Sequence, residues 1–134
     1  MKYRTFPTTA DMGIFIYGRD EKKLFSNAAY AFKKIIAGDR KIAEKQREKV
    51  ELDYSDLEMG LFQWMSELLF LYDSRAFLPN RVEFELFSRE RLKATLYGDI
   101  FTFQPKVYIK AITMHKLKIE KTPSGLRARI IIDL

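Results

Sequence analysis

SDLEMGLFQWMSELLFLYD, residues 55–73, is the stretch whose reading decides the fold. Ser55-Asp56-Leu57-Glu58 matches a capping box, with a hydroxyl for the early amide donors and a glutamate reaching back to the cap. Leu57, Leu61, Trp64, Met65, Leu68, Leu69 and Tyr72 then recur at steps of three and four. A stripe that broad predicts a helix at the centre of the core. Pro79-Asn80 closes the region.

Working outward, Asp20 is placed to cap a second helix running to about Ala37. Leu24, Ala28, Ala29, Phe32, Ile35 and Ile36 form its buried stripe, Lys33 and Lys34 suit its last turn, and Gly38 suits its C-terminal cap. Before it, Lys2 to Phe6 reads as a strand broken by Pro7, which lacks a ladder donor. Met12 to Tyr17 (MGIFIY) is a nearly continuous apolar strand punctuated by Gly18. Thr8-Thr9-Ala10-Asp11 connects the two.

Lys49 to Tyr54 alternates as a strand, and the second half of the chain consists of strands. Arg81 to Phe87 and Leu92 to Tyr97 flank a turn near Ser88 to Arg91. Val107 to Glu120 and Leu126 to Leu134 flank Thr122-Pro123-Ser124-Gly125. In the last strand Leu126, Ala128, Ile130 and Ile132 share one face, and Arg127, Arg129, Ile131 and Asp133 the other. The order predicts an α+β fold, with two helices packed on a largely antiparallel mixed sheet of about six or seven strands. At 134 residues, the chain reads as a single domain spanning 1–134.

Cysteine is absent and histidine occurs once. Disulfides, thiolate metal sites and a histidine-pair zinc site are excluded. Neither GxGxxG nor GxxxxGK[ST] is present, nor a GxSxG elbow. Only hard oxygen ligands remain, which suit Ca²⁺, Mg²⁺ or Mn²⁺. No apolar run reaches the length of a membrane span, so a soluble cytoplasmic protein without a membrane partner is expected. Lys and Arg total 24 against 18 Asp and Glu, a net charge of +6. That balance favours an acidic partner, RNA included, but the basic residues are spread along the chain as on an ordinary solvated surface.

Asp11 lies in a small polar connection beside an apolar strand; a surface turn is equally served by Asp, Thr and Gly. Asp133 ends the apolar run Arg129-Ile130-Ile131-Ile132, and the carboxylate at Leu134 adds an oxygen beside it. A solvated terminus is the competing reading. On Val107–Glu120, His115 falls on the face of Ile109, Ala111, Thr113 and Leu117, where a lone histidine is usually a core residue. Lys110, between Tyr108 and Ile112, reads as partly sheltered and in want of a carboxylate. Glu67 is either a pairing residue or the solvent edge of the central helix.

The ordered set TTADMGIFIYG, WMSELLFLYD, IKAITMHKL and terminal IIIDL resembles the archease family. That family's pattern runs H-T-A-D-[IVM]-G, W-L-x-E-L-L-[FY], [VI]-K-A-[VI]-T-Y-H and a terminal [VI]-[VIF]-[IL]-D-[IL] strand. The resemblance covers essentially the whole chain. It departs at Thr8, where the family has histidine, and at Met114, where it has tyrosine. The resemblance implies an accessory protein of the RNA-splicing ligase that joins tRNA halves through a guanylated histidine, with no ligase activity of its own. The chain would promote guanylation of that histidine and repeated turnover, meeting tRNA halves only through the ligase. It implies a metal site, usually calcium, formed by Asp11, Asp133 and Leu134, with Lys110 and His115 as the family's strand lysine and histidine. Two readings of other classes stand beside it: a stand-alone metal-dependent phosphoester hydrolase, and a chaperone-like RNA-binding module.

Overall fold

In a computed structural model the described residues are 1–8 and 11–134, and Thr9 and Ala10 lie outside them. The helix read from residues 55–73 is α2, Leu57–Arg75. Asp56 is its cap, with a carboxylate oxygen accepting the Met59 N–H at 2.8 Å. Ser55 therefore stands one position outside, and the expected box does not form. Glu58 turns away from the cap, and its Oε2 accepts the Ile119 N–H at 2.8 Å, tying the helix to a strand. Trp64 is fully buried, and its indole N–H reaches the Phe25 carbonyl at 2.9 Å, which satisfies a polar atom that burial would otherwise penalise. Phe25 belongs to α1, Glu21–Ala37, capped by Asp20 and closed by Gly38 at φ 62, a left-handed value that suits glycine.

Around these helices the chain forms β1 Tyr3–Pro7, β2 Asp11–Gly18, β3 Gln46–Asp53, β4 Phe77–Phe87, β5 Arg91–Ile100, β6 Ala111–Thr122 and β7 Gly125–Asp133. Two helices and seven antiparallel strands agree with the expected α+β class. The strands divide into two sheets, ordered β1-β2-β7-β6 and β3-β5-β4. Pro7 sits at the end of the edge strand β1, where its missing N–H costs no ladder bond. The turn Pro123-Ser124 closes β6 on β7 with Thr122 opposite Gly125.

One face of the four-stranded sheet carries Ile14, Ile16, Ala128, Ile130 and Ile132, all buried. They belong to one continuous core with Leu24, Phe25, Phe32, Leu61, Trp64 and Leu68 of the helices. Both helices pack against this inner face. Trp64→Ala should lower unfolding free energy by roughly 3–5 kcal/mol, since it opens a large cavity and orphans a carbonyl. Urea denaturation followed by circular dichroism checks this value.

Candidate functional site

The long-range pairing of β2 with β7 builds the site. Its register sets Asp11 opposite Asp133, Gly13 opposite Ile131 and Phe15 opposite Arg129. Residues directly opposite project from the same face. Because Ile14 and Ile16 point into the core, the aspartates stand on the outer face. Both are partly buried. Asp133 is also opposite Ala111 of β6, and its carbonyl accepts the Lys110 N–H at 2.8 Å. At the other strand, the Thr8 hydroxyl accepts the Asp11 N–H at 3.1 Å.

Two carboxylates directly opposite each other in a ladder repel. They have the donor chemistry of a hard-cation site. Among the described residues no group of three or more His, Cys, Asp or Glu side chains is gathered for a metal ion. A cation at this pair would therefore draw its remaining oxygens from main chain or water.

Beside Asp11 lies a cavity of about 590 Å³ above the outer sheet face. Phe6, Phe15 and Ile131 line it from the sheet, Thr8 and Asp11 at the strand ends, and His115, Lys116 and Arg129 from the other side. Phe6 lies over Gly13, where a Cβ would stand 2.1 Å from its ring. The Phe6 and Phe15 ring centroids are 4.8 Å apart.

His115 and Lys116 reach the cavity because β6 breaks register. Thr113 pairs with Ile131 and Lys118 with Arg129, so the intervening residues of β6 arch away from β7. Lys116 adopts φ 55, unusual for a side chain with a Cβ. The arch is held by Arg129, whose Nε donates to the Lys116 carbonyl at 2.9 Å.

This geometry changes two expectations. His115 is exposed on the arch rather than packed in the core, because strict alternation fails between Thr113 and Lys118. Lys110 is exposed rather than sheltered, because β6 begins only at Ala111 and the pleat does not extend to it. Glu67 is half-buried on α2 and is not part of the cavity. The structure thus unites Thr8, Asp11 and His115 in one cavity; Asp133 stands opposite Asp11 in the ladder without lining that cavity, and its carbonyl accepts the Lys110 N–H. Phe6, Phe15, Lys116 and Arg129 were not singled out from the sequence. For Phe15 a signal existed: two residues after Gly13 and four after Asp11, it must share their face.

The archease protein family model matches residues 3–134. The chain belongs to the archease family. A protein archease of Archaeoglobus fulgidus is 37% identical, with the whole of both chains covered. One of Pyrobaculum neutrophilum is 33% identical over 98% of this chain and 95% of its own length. The solution structure of protein 1598 of Methanobacterium thermoautotrophicum superposes with a TM-score of 0.84 at 27% identity, covering 99% of each chain. A crystal structure from Thermotoga maritima, described as an archease and possible chaperone, shares the fold with a TM-score of 0.68 at 19% identity, covering 98% of this chain and 96% of that one.

Because Gly13 makes room for Phe6, Gly13→Ala should destabilise by about 1–3 kcal/mol. Combining it with Phe6→Ala should recover part of that loss, a coupling of about 0.5–2 kcal/mol in a double-mutant cycle by urea denaturation. Additive losses would mean that the ring does not occupy the glycine's space.

Proposed function

We propose that this archease is a metal-binding accessory protein that activates a histidine-guanylating RNA-splicing ligase and is not itself an enzyme. The observation that carries the reading is the register of Asp11 against Asp133. Core packing fixes this register, but nothing in the packing requires a carboxylate at either of the opposed outer-face positions. A site for a hard cation does.

In this reading Asp11 and Asp133 hold the cation with their carboxylates and Leu134 contributes a main-chain oxygen. Calcium is the ion that the family resemblance favours, with magnesium and manganese as alternatives. When bound, the ion supplies a positive centre able to meet nucleotide phosphates. Thr8 fixes the approach of Asp11 through the Asp11 N–H. The N–H of Lys110 fixes the end of β7 through the Asp133 carbonyl. The exposed Lys110 side chain and His115 flank this end of the molecule and face the partner.

The ligase docks against the acidic end, and the chain helps it take up guanylate and return for further rounds. It meets tRNA halves through the ligase, in the cytoplasm. Among the described residues no helix is long and apolar enough to cross a membrane. The description of the Thermotoga relative as a possible chaperone agrees with an accessory role.

The deciding experiment is ligation by the cognate ligase under limiting GTP and metal, with and without the chain. The chain should raise ligase guanylation and convert single turnover into multiple turnover. Asp11→Ala and Asp133→Ala should each abolish that stimulation while leaving circular dichroism unchanged. Stimulation that survives both substitutions contradicts the site. Phosphoester hydrolysis by the chain alone contradicts the accessory role.

A further inference from the structure

The outer face of the four-stranded sheet carries more than the acidic pair. An open antiparallel face normally presents short polar side chains to water. Here Phe6 and Phe15 stack beside each other, and guanidinium groups lie over the Phe15 ring, Arg4 at 4.9 Å and Arg127 at 4.7 Å. Register puts Arg4 opposite Phe15 on one side and Arg129 opposite it on the other. Lys118 lies opposite Arg129, and Lys116 stands above on the arch. These cations come from β1 and from the distant β6–β7 hairpin and meet on one face.

Their charge is only partly spent. Arg127 pairs with Glu120, and Lys118 approaches the same carboxylate at 3.8 Å. Arg129 gives one N–H to a carbonyl and keeps its remaining donors. Arg4 and Lys116 make no ion pair among the described residues, and both are exposed. The cavity of about 590 Å³ opens between Phe6, Phe15, His115, Lys116 and Arg129, with the Asp11 carboxylate at the strand end of the same lining. That volume falls within the range of small-molecule sites and accommodates one base with its sugar.

We infer that this face binds an unpaired nucleic-acid strand. Aromatic rings and guanidinium planes stack bases without reading sequence, and the free Arg and Lys donors take phosphates. A duplex buries its bases and offers nothing to stack on Phe6 and Phe15. An acidic peptide would satisfy the cations but leave the aromatic rings and the cavity without a matching group. The inference does not rest on ligase activation, and binding is measured with no ligase present.

Fluorescence anisotropy of a labelled, unstructured oligonucleotide about 16 nucleotides long against the full chain tests this, with RNA, DNA, duplex and poly-glutamate arms. The single strands should bind with affinity falling as salt rises, with a slope of about −2 to −3 for three or four phosphate contacts. The RNA and DNA arms show which backbone is preferred. Arg4→Glu, at an exposed position, should weaken binding about tenfold and flatten the slope by about one contact. Phe6→Ala should weaken binding about fivefold or more with the slope unchanged. Lys116→Gly, which suits φ 55, keeps the fold and should weaken binding like any lost phosphate contact. The inference is overturned by no binding at low salt, by binding indifferent to Arg4→Glu and Lys116→Gly, or by equal affinity for duplex or poly-glutamate.

Discussion

Everything distinctive about this molecule depends on the pairing of β2 with β7. The two strands lie at opposite ends of the chain, and their register runs from Asp11 opposite Asp133 to Gly18 opposite Leu126. Closing so long a loop costs chain entropy, which grows only slowly with length. The cost is offset by the inner face, where Ile14, Ile16, Ala128, Ile130 and Ile132 leave water together. A slip of one residue would turn that isoleucine ladder outward, so burial fixes the register firmly. The same register fixes the acidic pair. The apolar core thus dictates where two charged residues meet, although neither contributes to it.

The sheet consequently has two faces with different tasks. Helices α1 and α2 cover the inner one. The outer one combines a like-charge pair at one end with stacked aromatics and guanidinium groups along the rest. Both features work against stability unless something occupies them: opposed carboxylates repel, and free guanidinium donors want anions. The arch of β6 adds to this, placing Lys116 in a left-handed conformation that a regular strand would avoid. Strain and uncompensated charge gathered at one place are the pattern of a binding site.

Much of this was readable from residue order. The stripes of α1 and α2 are unambiguous because burial at steps of three and four has no competing reading over four or five turns. The α2 cap fell one residue away from Ser55 because Asp56 is as good a cap and its carboxylate reaches Met59 N–H. The division into two sheets was not readable, since no local signal says which strands exchange ladder bonds. The arch after Thr113 was equally hidden: no glycine, proline or asparagine marks it, and an apparently alternating MHKLK put His115 on the wrong face. Asp11 and Asp133 illustrate the limit best. Each alone reads as an ordinary turn or terminal residue, and only the order of motifs along the chain, and then the register of two distant strands, joins them.

The central claim is that these two aspartates make one hard-cation site. Thermal unfolding with and without excess calcium measures it in isolation from any partner. An ion that binds only the folded chain, present at about a hundred times its dissociation constant, adds about 2.7 kcal/mol and raises the melting temperature by several degrees. The account predicts that rise for the native chain and its loss in Asp11→Ala and in Asp133→Ala alike. A calcium-dependent rise that persists in both variants would contradict it.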